Sequence, residues 1–488
     1  MLKADEIRQF IEEDAMSDKK RQAKIGQKYY ESDHDIKQYR LFYYNADGEL
    51  KEDTTRSNSK IPHAFFTELN DQATQYILST KNGYIIKSDI PELQTELDSY
   101  FNENEDFIAE FTEVITGSQN KGFEYMYGYK GENDRLSFQC ADAIGVVEVE
   151  ARFASDKQEH ILYWYVDKVD KNDKQIKRIM DWTSEEVAFY IQVDDGKIVL
   201  DKNMKQNPRP HYLYQEEGKD EIYYDNFGFI PFFRLDNNKK QTSSLKPIKE
   251  LIDDYDIMAS SLTNNLIEFD KPIYAVKGFE GDDLDQLQQN LKTKKVMGLP
   301  EGDTGIEVIT VDIPYEARKT KLELDEKNIY RFGFGLNTAG LKDTSATTNI
   351  AIKAMYALLD LKCSKIKIKL KQFLRKIIKV VLDEINTING TDYQMKDIYF
   401  NFEPDIISNA QENAQIELTE AQRKQAEITT LLNLASHLDN ETLMQLICEQ
   451  LDIDYDDIKG KLPDPDEADN VIGDTQTVLN GIEGGVVE

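Results

Sequence analysis

From Leu245 onward apolar residues return in steps of three and four, through Ile248, Ile252, Tyr255, Ala259, Leu262 and Leu266 to Phe269. Such steps draw one stripe on a helix of about 3.6 residues per turn, so the spacing predicts a helix over 245–269, ended by Pro272. A second stripe (Leu359, Cys363, Ile366, Leu370, Phe373, Ile377, Val380) marks the longest periodic segment, a helix over 349–388 that Thr347, Thr348 or Asn349 is able to cap. Between these two, Pro314 opens a helix over 315–332 that is polar on nearly every face: Glu316, Arg318, Lys319, Lys321, Glu323, Asp325, Glu326 and Lys327. A helix polar all round seldom stands alone. The segments 245–269 and 315–332 are therefore expected side by side, burying their stripes against each other and against neighbouring subunits.

The rest of the pattern divides the chain. Residues 1–115 read mainly as helices, including one over 62–78 (Phe65, Phe66, Leu69, Ala73, Tyr76, Ile77), with a hairpin at Asn45-Ala46-Asp47-Gly48. From 123 to 235 aromatic and β-branched residues dominate. Ile161-Leu162-Tyr163-Trp164-Tyr165-Val166 reads as a strand, and Val187, Phe189, Ile191 and Val193 alternate into a second hairpin at Asp195-Gly196. A polar joint, Asn237-Asn238-Lys239-Lys240, precedes the 245–269 helix. A small glycine-containing module spans 270–313, and a Gly/Ser/Thr-rich loop covers 336–348. Further helices are expected over 406–430 and 440–451. The tail 463–488 has seven acids, four glycines and no base, and is expected to be flexible.

Charge changes the picture. The chain has 59 basic and 91 acidic residues, a net charge of −32. Lys and Arg drive sequence-independent DNA affinity by displacing counterions; a chain this acidic is a poor DNA binder but a good wall for DNA to slide past. Residues 342–379 invert the sign locally, with ten bases against two acids. The run Lys362–Lys379 reads best as helix–helix pairing with acidic neighbours, against the alternatives of a solvated amphipathic face and contact with phosphate. Cys140, Cys363 and Cys448 lie far apart and read as reduced thiols, with neither a disulfide framework nor a zinc site. The N-terminus lacks the apolar core of a signal peptide, and no apolar run reaches a membrane span, so a cytoplasmic site of synthesis is expected.

Catalytic signals are weak. There is no P-loop, and Gly333-Phe334-Gly335 lacks the spacing of a nucleotide fingerprint. His34, His63, His160, His211 and His437 show no metal spacing and read as ordinary hydrogen-bonded histidines. The run 452–457 opens like a calcium loop, but Asp457 stands where the sharp turn needs Gly and Pro463 where the bidentate Glu belongs. No cofactor, metal or catalytic residue is assigned.

Four phrases then align in order. Tyr29-Tyr30-Glu31-Ser32-Asp33-His34-Asp35-Ile36 resembles the Tyr-Tyr…His-Asp-Ile opening of portal proteins from long-tailed phages of Gram-positive bacteria. Asn58, Ile61, His63, Phe65, Phe66, Asp71, Gln72, Tyr76 and Leu78 resemble that family's next helical block. Asn226-Phe227-Gly228-Phe229-Ile230-Pro231-Phe232-Phe233 with Asn237-Asn238 resembles its Gly-x-hydrophobic-Pro segment and joint. Asn349-Ile350-Ala351-Ile352-Lys353-Ala354-Met355-Tyr356-Ala357-Leu358-Leu359-Asp360-Leu361-Lys362 resembles the start of its long helix, although Thr348 and Asn349 stand where the family usually has Ser-Gly.

The resemblance implies an α+β, mainly α, portal fold assembled as a ring, twelve copies in the virion. It places a wing at 1–242 (its β-rich part at 120–235), a stem helix at 243–269, a clip at 270–313 and a second stem helix at 314–335. A tunnel loop follows at 336–348, a long helix returning to the wing at 349–404, a helical crown at 405–462 and the acidic tail at 463–488. The tunnel-loop residues implied to face DNA are Leu336, Asn337, Thr338, Gly340, Leu341, Lys342, Asp343, Thr344, Ser345, Thr347 and Thr348. The clip residues implied to meet the packaging motor and the adaptor are Lys277, Gly278, Phe279, Asp282, Asp283, Lys292, Lys294 and Lys295. The implied partners are other copies of the chain, double-stranded DNA, the terminase large subunit, a head–tail adaptor, and the major capsid and scaffolding proteins, with no membrane. The competing expectations are a catalytic component of the packaging motor and a cytoplasmic multidomain scaffold.

Overall fold

A computed structural model describes residues 1–80, 85–131, 134–150, 158–169, 174–194, 196–215, 222–269, 273–277, 305–309, 314–337, 349–403, 410–433 and 440–450. Helices begin where caps allow. α1 (Ala4–Ala15) is followed by α2 (Asp18–Tyr30), whose first turn is closed by Ser17 accepting from the Lys20 amide. The expected hairpin forms as β1 (Phe42–Tyr44) and β2 (Leu50–Glu52), with Gly48 at φ 77° in its turn. Next come α3 (Phe65–Leu78), β3 (Ile86–Lys87), α4 (Pro91–Leu97) and α5 (Glu105–Lys121), the last capped by Asn104 accepting from Phe107.

The aromatic region folds as antiparallel sheet. β4 (Phe123–Lys130) lies between β5 (Leu136–Ala141) and β14 (Phe232–Asp236). A larger sheet runs through β6 (Val146–Glu150), β7 (Gln158–Val169), β8 (Gln175–Trp182), β9 (Glu186–Val193) and β10 (Val199–Leu200), with β11 (Arg209–Pro210) also on β9. β12 (Tyr212–Gln215) and β13 (Ile222–Asp225) form a separate pair. The expected second hairpin is the β9–β10 pairing, with Ile191 opposite Val199.

α6 (Lys249–Phe269) starts four residues later than the stripe predicts. Pro247 disfavours helical backbone at Lys246, so the helix waits until the proline is behind it. Leu245 and Ile248 are buried all the same, in the turn that precedes it. β15 (Ile273–Lys277) pairs with β16 (Gly305–Ile309), and α7 (Tyr315–Gly333) and α8 (Asn349–Asn389) follow, α8 spanning about 60 Å. β17 (Tyr399–Phe400) returns to pair with β3. Val380 proves only half-buried; burial passes instead to Leu374, Ile378, Val381, Leu382 and Ile385, so the stripe is wider than one row of side chains.

The chain divides into two compact units, 1–343 with 354–406, and 344–353 with 407–488. Among the described residues, the first holds four apolar clusters. The largest gathers α3, α4, α5, the three-stranded sheet and the stripe of α8. A second seats Ile7 of α1 on the larger sheet, and a third lies between the two sheets around Phe123, Tyr125 and Trp182. The fourth joins Tyr29, Phe66 and Leu69 to Ile248, Ile252, Ile329 and Tyr330. In the second unit α9 (Ala410–Asn433) packs on α10 (Asn440–Gln450), where Leu443 and Cys448 are buried. Among the described residues no helix is long and apolar enough to cross a membrane.

Gly122 joins α5 to β4 with φ 94°. Its amide donates to Ser118 O and its carbonyl accepts from Asn237, while a Cβ here would lie 2.4 Å from Gln241 O. Gly122→Ala is therefore expected to lower stability by about 2 kcal/mol, read as a shift in urea midpoint.

Candidate functional site

The two helices expected to pair do lie side by side, antiparallel. Lys321 of α7 makes short contacts with Asp254 of α6 and with Asp325. Toward the other end the Asn265 amide, oriented by this contact, accepts from both terminal nitrogens of Arg318 at 2.7 Å. Ile329 and Tyr330 close the pair over Ile248 and Ile252. The chain thus leaves by α6, turns through the β15–β16 pair and returns by α7. Apolar side chains remain exposed on both helices: Ile257, Leu266 and Ile267 on α6, Tyr315, Leu324 and Phe332 on α7.

A strap holds α6 to the N-terminal part. The amides of Ser57, Ser59, Ile61 and His63 donate in turn to Glu268 Oε1 (2.8 Å), Asn264 Oδ1 (2.7 Å), Ser260 Oγ (3.1 Å) and Asp256 Oδ1 (2.9 Å). Two extended residues advance about 6.7 Å and four helical residues about 6.0 Å, so alternate amides meet every fourth side chain. Asp256, fully buried, also meets His63 Nδ1 at 2.8 Å and His34 Nδ1 at 2.6 Å, while His34 Nε2 faces Tyr29 O at 3.2 Å. None of these roles was visible in the stripe of α6, because the four acceptors occupy a separate polar row.

The other described histidines are also engaged. His160 meets Asp181 at 2.7 Å, and His211 lies between Thr183 O (3.0 Å) and the Phe227 amide (3.2 Å). His437, the acidic run 452–457 and the tail 463–488 lie outside the described residues.

Of the loop expected to face DNA, Leu336 and Asn337 are described. α7 ends with Phe334 in left-handed backbone (φ 57°), and Gly335 donates back to Tyr330 O. Leu336 is held on both sides by Gln72, whose amide accepts from Leu336 N and donates to Leu336 O, each at 2.9 Å. Asn337 donates to Glu326 at 3.1 Å. Thr338, Gly340, Leu341, Lys342, Asp343, Thr344, Ser345, Thr347 and Thr348 lie outside the described residues. Of the clip residues, Lys277 ends β15; Gly278, Phe279, Asp282, Asp283, Lys292, Lys294 and Lys295 lie outside.

The basic face of α8 is the one expected to pair with acidic neighbours. Among the described residues, none of its bases between 362 and 379 forms an ion pair with a carboxylate. Lys362 donates to Leu69 O (3.3 Å) and Lys367 to Phe402 O (2.8 Å), and Lys371 lies over the Phe402 ring.

Comparison with known proteins bears on most of the chain. The family described as phage portal protein, SPP1 Gp6-like, matches residues 10–454. The portal protein of Bacillus phage SPP1 is 27% identical over 397 residues, covering 80% of this chain and 75% of its own. The portal protein of Clostridium phage phiCD119 is 24% identical over 421 residues, covering 78% of this chain and 85% of its own. A chain from the neck of a native GTA particle, computed with C12 symmetry, covers 78% of this chain and 89% of its own at 12% identity and a TM-score of 0.39. With a match this long, the chain belongs to the phage portal protein family, SPP1 Gp6-like.

Proposed function

We propose that this chain assembles as a ring of twelve at one vertex of the capsid, forming the channel through which the genome is packaged and later ejected, without catalysing a reaction itself. The observation that carries the reading is the excursion α6–β15–β16–α7. It pairs an amphipathic helix with a mostly polar one, and both expose apolar side chains, an arrangement suited to lateral contact with further copies. In this reading 243–269 and 314–335 form the stem, 270–313 the clip that meets the terminase large subunit and then the head–tail adaptor, and 405–462 a crown toward the capsid interior. The wing is 1–242 together with the return of 349–404. Major capsid and scaffolding proteins surround it.

DNA contact falls on the loop 336–348. Lys342 is its only base and Asp343 its neighbour, so each loop is close to neutral and touches the duplex without holding it. The −32 charge of the chain supports the same picture by disfavouring adhesion elsewhere. Negative-stain imaging of the purified chain is expected to show rings with a central hole; monomers or filaments would count against the reading. Lys342→Glu is expected to leave ring assembly intact while changing packaging yield or DNA retention, and unchanged values of both would remove Lys342 from the DNA-facing surface.

A further inference from the structure

Two cations of α8 without a carboxylate partner among the described residues, Lys362 and Lys365, border a cavity of about 420 Å³. It lies between the turn before α6, the end of α7 and the first half of α8. Lys246, Lys362 and Lys365 line it, and none of its described lining residues is acidic. Lys246 and Lys365 are exposed, and Lys365 leans toward the Phe334 ring at 5.9 Å. Lys362 is half-buried, and burial pushes its pKa down to about 8. Three ammonium groups around one concavity repel one another and attract an anion.

The surroundings decide which anion. Leu358, Leu361, Lys365 and Ile368 succeed one another in steps of three and four on α8, a single exposed face. Its apolar members are 40%, 49% and 61% exposed, and Phe332 at the cavity rim is 46% exposed. Apolar and aromatic surface around a half-buried charge suits a protein interface; sites for nucleic-acid phosphate are far more polar. The chain itself carries 91 acids. Two copies at −32 repel overall, so their attachment requires local complementarity such as this cavity offers.

We propose that the Lys246–Lys362–Lys365 cavity, with the exposed stripe of α8, receives a carboxylate-bearing surface of a second copy of this chain. The inference rests on the ring reading above. An arriving carboxylate pairs with Lys362, offsets the burial of its ammonium and relieves the mutual repulsion of the three lysines.

Zero-length carbodiimide coupling tests this, because it joins an amine only to a carboxylate in contact with it. Equal amounts of ¹⁴N and ¹⁵N full-length chain are mixed before assembly, coupled and mapped by mass spectrometry. Mixed-isotope peptides through Lys246, Lys362 or Lys365 are expected. In parallel, the exposed pair Lys246→Glu/Lys365→Glu is expected to keep its circular dichroism and melting temperature but to lower the assembled fraction at fixed concentration by roughly tenfold or more. Assembled wild-type rings without such peptides, or a double variant that assembles like wild type, overturn the proposal and leave the ring reading standing. A wild-type chain that stays monomeric overturns both. Weaker duplex binding by the variant with assembly unchanged would identify the ligand as phosphate, which also overturns it.

Discussion

Replacing Lys20 with alanine is expected to cost the folded subunit about 3–5 kcal/mol, the range found when one partner of a buried ion pair is removed. Lys20 lies in α2 and is 1% exposed. Its ammonium donates to Val146 O and Ala143 O and pairs with Asp14 at 3.0 Å. Burial pulls the Lys20 pKa down, and Asp14 pulls it back up. One side chain thus ties the junction of α1 and α2 to the turn between β5 and β6. Removing it leaves the Asp14 carboxylate and two buried carbonyls without their donor, each such carbonyl costing about 1–3 kcal/mol. Lys20→Met separates charge from bulk: it refills most of the volume yet supplies no hydrogen. Both variants are expected to lower the urea midpoint by comparable amounts and to speed amide exchange over 142–147. A methionine variant as stable as wild type would show that the ammonium contributes only its volume.

Lys20 also shows where reading a sequence runs out. In Asp18-Lys19-Lys20-Arg21 four charged residues stand in a row, and nothing in that string says which one turns inward. Apolar period carries further. The stripe from Leu359 to Ile377 is buried as its spacing requires, and the Asp47-Gly48 turn is a hairpin because a positive φ was needed there. The 245–269 helix was legible in its stripe and misread at its start, where Pro247 outweighs an apolar pattern that continues through it. At the candidate loop, the Gln72 clamp on Leu336 joins residues 264 apart. Gln72 stood out in the family-like block, but its partner could not be inferred from one chain, since long-range polar pairing leaves no local period. The lysines of α8 were legible as an inversion of charge. That none of them pairs with a carboxylate among the described residues was not, because pairing depends on long-range contacts.

The strap over α6 has the same character, and its key residue carries the second large effect. Asp256→Ala is expected to destabilise the subunit by about 3–5 kcal/mol, since it removes a fully buried carboxylate that binds two imidazoles and one amide. The geometry also predicts how the damage spreads. Asp256 is the first of four acceptors spaced four residues apart, and the other three hold Ile61, Ser59 and Ser57. With His63 released, that end of the strap is expected to lift first, and amide protection to fall from His63 toward Ser57. Ser260→Ala is the graded control: it frees the Ile61 amide alone and is expected to cost about 1 kcal/mol. Asp256→Asn keeps the volume and an acceptor for the His63 amide, so a loss intermediate between the two is expected. Hydrogen exchange over 55–65, read with the urea midpoint, checks the order. If Asp256→Ala leaves protection at Ser57, Ser59 and Ile61 unchanged, the four contacts are independent rather than a single strap, and α6 gains its attachment from the apolar cluster around Ile248 and Ile252 instead.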